Sequence, residues 1–182
     1  MATTHLLTAE DLEAMRTTDN RYELIRRVLT PMSRTGGRHG KITVKVSTPL
    51  AIHASTHRQG DVFGAETGFV LARDPVVVLG PDVAFVAADR IPSDDELDRF
   101  PRLAPDLVVE VVCPPDTATE LFNKVLTYLD TGVRLVWVIE PRRRTVTEWT
   151  SDRTARVLTE TDDLDGGDVL PDFRLPVAEM FL

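Results

Sequence analysis

The sequence has 182 residues, of which 42% are hydrophobic and 27% charged, the size and composition of one soluble globular domain with a single core. We therefore expect a single domain over residues 1–182, which excludes a multidomain enzyme. No apolar run approaches the roughly 20 residues that span a bilayer, and acids stand early in the chain where a secretory signal would be apolar, so we expect a cytoplasmic protein with no membrane partner. Cys113 is the only cysteine, which excludes an intrachain disulfide and a thiolate zinc cluster within one chain.

The formal net charge of −8 at first argues against a nucleic acid as the partner. Nine of the 29 acids, however, lie in two segments without a base, residues 94–98 and 160–168. The rest of the chain has 20 acids against 21 bases, so a neutral or basic face is compatible with the sequence. The run Arg142-Arg143-Arg144 suits either a solvated turn or a contact to phosphate.

In chain order, the first predicted element is a short amphipathic helix over residues 8–16. Thr8 and Asp11, three residues apart, form the capping pair that begins it. Residues 22–29 then have the pattern of an extended segment.

The segment 41–57 fits two secondary structures. Apolar and polar residues alternate over 41–46, which is typical of a strand. A helix would place four residues of the segment on one face: Ile42, Val46, Leu50 and His53. Pro49 argues against an unbroken helix, so both interpretations stay open.

Strand signals dominate the rest of the chain, as short β-branched or aromatic runs bounded by Gly, Pro or Asp. The predicted strands are Phe69–Leu71, Val76–Leu79, Val83–Ala87, Leu107–Cys113, Leu135–Ile139, Val146–Trp149 and Arg156–Thr159. One helix interrupts them over 117–131, begun by the capping box of Thr117 and Glu120 and ended by Gly132. This strand–helix–strand order predicts a βαβ unit with two parallel strands.

Glu110 is the most informative single residue, because its strand is apolar on both faces and a carboxylate there is costly unless it is protonated, paired or coordinated. A position near the strand end that reaches solvent or an arginine explains it equally well. Asp82, however, opens the apolar strand 83–87, and its side chain would lie at the edge of the same sheet. Two carboxylates are the ligands that Mg²⁺ or Mn²⁺ prefers, so Asp82 and Glu110 together predict a metal site.

Lys124 is the third candidate. It lies at the border of the apolar stripe of the helix 117–131, which packs back across the sheet that holds Glu110. Its ammonium could therefore reach the carboxylates. If Lys124 is considered by itself, a surface ion pair with Glu120, four residues earlier, explains it better than a catalytic role does.

Three segments of the second half form a specific block: Gly80–Val86, Pro105–Val111, and the run from Asp116 through Lys124 to Ile139. With the shorter pieces Tyr22–Ile25 and Leu170–Pro176, they resemble the Uma family of putative restriction endonucleases, formerly a domain of unknown function. The resemblance covers nearly the whole chain.

Membership of this family implies the PD-(D/E)XK nuclease fold, an α/β fold of mixed α+β type with a restriction-endonuclease-like mixed central sheet flanked by helices. It implies an endonuclease that hydrolyses DNA with Mg²⁺ or Mn²⁺, with Asp82 as the first acid and Glu110 as the second. The superfamily places a lysine two residues after the second acid, where this chain has Val112, and the resemblance implies that Lys124 replaces it from the following helix. It also implies a helix over 38–57 and an expectation of homodimers.

Glu66 and, after it, Glu23 are candidates for a further metal ligand, although a turn or surface position explains either. His53 and His57 have the spacing of a zinc pair, but no glutamate follows His53 as in a metalloprotease helix, so we expect surface histidines. Two other functions stay open. One is a catalytically silent nuclease fold that binds nucleic acid or protein, and the other is a structural or regulatory dimer in which Glu110 pairs with an arginine.

Overall fold

A computed structural model describes residues 7–15, 21–32, 34–65, 67–114 and 116–182. Its helices are α1 (Ala9–Ala14), α2 (Gly37–His57), α3 (Asp94–Leu97) and α4 (Ala118–Asp130), with 3₁₀ turns at Ala88–Arg90 and Val177–Phe181. Its strands are β1 (Arg21–Ile25), β2 (Val28–Met32), β3 (Gly60–Gly64), β4 (Phe69–Arg73), β5 (Val76–Leu79), β6 (Val83–Ala87), β7 (Leu107–Val111), β8 (Leu135–Glu140), β9 (Thr145–Thr150), β10 (Ala155–Leu158), β11 (Asp163–Asp165) and β12 (Arg174–Pro176).

The chain divides into two compact units, each assembled from three stretches of sequence. The first comprises Met1–Arg34, Thr67–Gly80 and Pro92–Ala104, and the second comprises Thr35–Glu66, Pro81–Ile91 and Pro105–Leu182. Both units are discontinuous in sequence, and the expectation of one domain over the whole chain stays a prediction. Among the helices of the described ranges, none is long and apolar enough to cross a membrane.

The first unit is built on a four-stranded antiparallel sheet in the order β2-β1-β5-β4. Helix α1 begins as predicted, since Thr8 and Asp11 cap each other's backbone and side chain. The extended segment predicted over 22–29 is wrong at its centre, because Arg26 and Arg27 adopt positive φ angles of 48° and 72° and form the turn between β1 and β2.

The second unit is built on a six-stranded mixed sheet in the order β10-β9-β8-β7-β6-β3. All neighbouring strands are antiparallel except β7 and β8, which are parallel and joined by α4. The βαβ prediction is therefore confirmed, and the capping box of Thr117 and Glu120 begins α4 as the sequence indicated. The two short strands β11 and β12 form a separate antiparallel pair.

Helix α2 shows that the strand interpretation of residues 41–46 is wrong. Ile42, Val46 and Leu50 are almost fully buried and belong to one core cluster with the inward residues of the sheet. The helix continues through Pro49, whose missing N–H leaves the carbonyl of Lys45 without its helical donor. Because Lys45 lies on the exposed side of the helix, that carbonyl can be solvated, and burial of the apolar stripe outweighs the lost hydrogen bond.

The two faces of β7 are covered by different helices. Leu107, Val109 and Val111 belong to the core cluster that contains the buried face of α2. Side chains alternate along a strand, so Glu110 is directed to the opposite face, where Tyr128 of α4 contacts it. This arrangement places one helix on each side of the strand that carries the buried acid.

Candidate functional site

Asp82 and Glu110 come from neighbouring antiparallel strands. Val83 is the first residue of β6 and pairs with Val109 of β7, so Asp82 and Glu110 occupy the next positions on their two chains. Beyond the last paired residues of β6 and β7, the side chain of Asp82 continues the contact between the two segments. Its Oδ2 accepts a hydrogen bond of 2.7 Å from the backbone N–H of Val111. The register and this bond bring the two predicted acids to the same end of the β6–β7 pair.

The Asp82 carboxylate is held through one of its two oxygens. In addition to the N–H of Val111, His39 of α2 approaches Oδ2, with its Nε2 at 3.0 Å. Oδ1 of Asp82 has no hydrogen-bond partner among the described residues, and the side chain is 17% exposed. Both bonds therefore engage the same oxygen of the Asp82 carboxylate.

The Glu110 carboxylate is buried, with only 7% of the residue exposed, and α4 supplies two of its partners. The hydroxyl of Tyr128 donates to Oε1 at 2.6 Å, and Nζ of Lys124 lies 2.9 Å from the same oxygen. Lys124 and Tyr128 are four residues apart on α4 and therefore share one face of the helix. A charge that would be costly inside an apolar strand is thus compensated by a cation and a hydroxyl.

Glu120 was the alternative partner of Lys124, in a surface ion pair within α4. The carboxylate of Glu120 accepts hydrogen bonds from the backbone N–H and the hydroxyl of Thr117, at 3.1 and 2.7 Å. Its contacts are those of the capping box, and it forms no ion pair with Lys124. Lys124 instead contacts Glu110, one of the two carboxylates that helix packing was expected to bring within its reach.

His39 is a site residue that the sequence analysis missed. It is 8% exposed, and the hydroxyl of Thr43 donates to its carbonyl at 3.0 Å. Burial acts to lower the pKa of His39, but the hydrogen bond to Asp82 and the negative charges of Asp82, Glu110 and Asp116 outweigh it, so that the pKa is raised. The signal that could have found it is its position three residues before Ile42, in the apolar stripe of α2.

The thiol of Cys113 is affected by the same carboxylates as His39. Its backbone N–H donates to Oδ2 of Asp116 at 2.7 Å. Burial and then the charges of Asp116, Asp82 and Glu110 raise the pKa of its thiol to about 11. The thiol is therefore protonated at neutral pH and is not a nucleophile.

The remaining candidates lie elsewhere or are engaged otherwise. Glu66 lies outside the described residues. Glu23 is on β1 in the first unit, where its Oε1 accepts a hydrogen bond from the N–H of Gly80 at 3.1 Å. Nε2 of His53 lies 2.9 Å from the backbone carbonyl oxygen of Pro171, and Nδ1 of His57 lies 2.9 Å from that of His53, so one ring nitrogen of each histidine is engaged with the backbone.

A cleft of about 480 Å³ borders the site. Its wall includes His39, Cys113 and Asp116, together with Val112, the position at which the superfamily pattern would place a lysine. Arg38 and Arg142 also line the cleft. The cleft is large enough to admit part of a polar ligand next to His39.

The residues that could hold a metal ion are Asp82 and Glu110. In the part of the chain that the structure describes, no group of three or more His, Cys, Asp or Glu side chains could hold one. Two hard carboxylates, one of them with an oxygen that has no described partner, nevertheless suit Mg²⁺, which keeps several water ligands and binds through one or two protein carboxylates. The donor set therefore fits the divalent cation that the fold implies.

Comparisons with known proteins agree with this fold. The model of the Uma2 family, described as a putative restriction endonuclease, matches residues 9–178. A solved structure, that of a putative nuclease belonging to DUF820 from Anabaena variabilis ATCC 29413, superposes with a TM-score of 0.83 at 18% identity, covering 96% of this chain and 97% of that chain. No curated protein matches the sequence. The likeness confirms the predicted mixed α/β nuclease fold, and the family match over nearly the whole sequence shows that the chain belongs to the Uma2 family of putative restriction endonucleases.

Proposed function

We propose that this protein is an endonuclease that hydrolyses DNA phosphodiester bonds with the help of a divalent cation, Mg²⁺ or Mn²⁺. The observation that carries the proposal is the buried carboxylate of Glu110, which lies beside Asp82 on the neighbouring strand and contacts Lys124 of α4 at 2.9 Å. An acid pair suits a divalent cation that assists phosphodiester hydrolysis, and an adjacent lysine suits the charge that develops on the phosphoryl group. Membership of a family of putative restriction endonucleases supports the same chemistry.

Asp82 and Glu110 would hold the cation. When bound, the cation supplies positive charge for the phosphoryl oxygens and lowers the pKa of a water molecule. The hydrogen bonds to Asp82 prepare the protein for this task, because both engage Oδ2 and leave Oδ1 for the ligand. His39 acts as a positioning residue in this scheme, since it orients the Asp82 carboxylate and offsets part of its charge.

Lys124 would stabilise the negative charge that develops on the phosphate during hydrolysis. Its ammonium is oriented by the contact with Oε1 of Glu110, so it does not have to be ordered during the reaction. Tyr128 donates to the same oxygen and restricts the rotation of the carboxylate. In this proposal Lys124 takes the role of the lysine that the superfamily pattern would place at Val112.

A catalytically silent nuclease fold that binds nucleic acid is the second candidate. The observation that favours it is Val112, which lines the cleft and offers no charge to a substrate there. In that case the ion pair of Lys124 and Glu110 would serve only the stability of the fold. The dimer in which Glu110 pairs with an arginine has less support, because the structure gives Glu110 a lysine partner from its own chain.

Cleavage of a circular DNA tests the proposal, because a circle offers no ends and only an endonuclease can open it. We expect the wild type to nick or linearise the circle with Mg²⁺ or Mn²⁺ and to be inactive with a chelator. Glu110→Gln should be inactive, whereas Asp89→Asn, an exposed acid of the same unit, should retain activity. Cleavage in chelator would refute the metal dependence, and binding of the circle without cleavage would favour the silent fold.

A further inference from the structure

A second cleft, of about 600 Å³, adjoins the one beside His39 in the second unit. The two clefts share Gly37, Arg38, Pro141 and Arg142. The second is also lined by Lys41 of α2 and by Arg144. We call this second cleft the α2 groove. Four of its lining residues are cationic and none is acidic, whereas the cleft beside His39 contains both signs of charge.

Three of the four cations that line the α2 groove have no side-chain partner among the described residues, a property they share with Lys45, Arg58 and Arg143, which line neither cleft. Arg38, Lys41 and Arg142 are exposed, and their side chains form no ion pair or hydrogen bond among the described residues. Arg144 is paired with Glu160 and also lies over the ring of Phe181, its guanidinium carbon 5.3 Å from the ring centroid. Ion pairs neutralise five further arginines of this unit: Arg90–Asp106, Arg134–Asp168, Arg153–Asp130, Arg156–Glu148 and Arg174–Asp165.

This pattern is informative because the whole chain has a net charge of −8. Acids are abundant, yet three cations that share one groove remain without a carboxylate. At physiological salt, electrostatic interactions are screened over a distance of roughly 8 Å. A ligand in the groove therefore interacts more strongly with these three charges than with the acids of remote surfaces. A local positive potential is thus compatible with an acidic protein.

The backbone adds to this potential. Helix α2 begins at the groove, and its first turn contains no acid. Its N-cap is Gly36, so no side chain caps the first N–H groups of the helix. A Cβ placed on Gly36 or Gly37 would meet nothing within 4 Å, so the first turn is open to a ligand. The positive end of the helix dipole therefore lies at the same place as the unpaired side chains.

We propose that the α2 groove binds the phosphodiester backbone of the nucleic acid, through Arg38, Lys41 and Arg142, and leads it to the cleft beside His39. The inference rests on the proposed nuclease function and names the surface that its substrate contacts. The shared residues Arg38 and Arg142 join the groove to the cleft whose wall includes His39, the residue that contacts Asp82. Contacts of this kind position a strand and carry no base specificity, and they suit either a single strand or a duplex.

The test compares two triple variants with the same change of charge. The groove variant combines Arg38→Gln, Lys41→Gln and Arg142→Gln. The control combines Lys45→Gln, Arg58→Gln and Arg143→Gln, three exposed cations of α2, its C-cap and the β8–β9 turn that line neither cleft. Binding of labelled single-stranded and duplex DNA is measured by fluorescence anisotropy in chelator, at salt concentrations of about 50–200 mM. Thermal melting of both variants verifies that they are folded.

We expect the groove variant to bind at least about tenfold more weakly at low salt. We also expect the slope of log affinity against log salt to fall in magnitude by about 2.7 for a duplex or about 2 for a single strand, the loss of three phosphate contacts. The DNA form with the larger loss identifies the substrate backbone. Equal affinities of the groove and control variants would overturn the proposal, and so would weaker binding with an unchanged salt slope. If the wild-type protein has no affinity for either DNA, the proposed nuclease function itself is wrong. If the wild type binds DNA and the groove variant binds equally well, only the proposed role of the α2 groove is wrong.

Discussion

The contact between Lys124 and Glu110 gives a prediction that separates a buried ion pair from a surface one. The substitution Lys124→Met keeps the length and the apolar stem of the side chain and removes only its ammonium. The Glu110 carboxylate would then stay in an apolar strand with the hydroxyl of Tyr128 and without its cation. We therefore expect the variant to fold and to lose stability.

The size of the loss follows from how buried the pair is. The side chains of Lys124 and Glu110 are 18% and 10% exposed, which is close to a buried pair. Breaking a buried pair costs about 3–5 kcal/mol, whereas an exposed pair contributes about 0–1 kcal/mol. With partial exposure and the remaining bond from Tyr128, we expect a loss of about 2–3 kcal/mol. For a chain of this length, that corresponds to a fall in Tm of about 5–10 °C.

The assay is a double-mutant cycle by thermal unfolding at pH 7 in chelator. It consists of the wild type, Lys124→Met, Glu110→Gln and the double variant. The double variant removes both charges from the interior, so it should recover most of the loss caused by Lys124→Met. Lys45→Met, the same substitution at an exposed position of α2, is the control and should change Tm little.

Two results would refute this reasoning. A loss below about 0.5 kcal/mol for Lys124→Met would be that of a solvated helix pair. A double variant as unstable as Lys124→Met would show that the uncompensated carboxylate is not the cause of the loss.

The other groups of the site give further predictions. Asp82→Ala should abolish Mn²⁺ binding in calorimetry, because the site has few protein ligands, and unchanged affinity would exclude Asp82 as a ligand. Lys124→Ala should keep Mn²⁺ binding and DNA affinity but slow single-turnover cleavage by roughly 10²-fold or more, and a wild-type rate would exclude its role in hydrolysis. Because the pKa of His39 is raised in the folded protein, its contribution to stability is complete below the unfolded pKa of about 6.5 and is lost as the pH rises through the folded pKa. His39→Gln should remove this pH dependence of metal-free Tm, and an unchanged profile would contradict it. The Cys113 thiol, with a pKa of about 11, should be alkylated at pH 8 on the order of 100-fold more slowly than an ordinary thiol, and rapid labelling would contradict its burial.

The features that could be predicted from the sequence are those that depend on short-range interactions. The strands around Glu110 could be predicted because an apolar, β-branched run has few alternatives once turn residues bound it. The start of α4 could be predicted because Thr117 and Glu120 satisfy backbone groups within one turn. The parallel pairing of β7 and β8 followed from the helix between them.

Contacts between groups that are distant in sequence could not be predicted in this way. The segment 41–57 had both patterns, and burial of Ile42, Val46 and Leu50 against the sheet selected the helix despite Pro49. Lys124 had a local partner at Glu120 and a distant one at Glu110, and helix packing onto the sheet brought the distant one within 2.9 Å. His39 reaches Asp82 from 43 residues away along the chain. The physical reason is that burial and charge compensation depend on which surfaces pack together, and residues far apart in sequence carry no local sign of that packing.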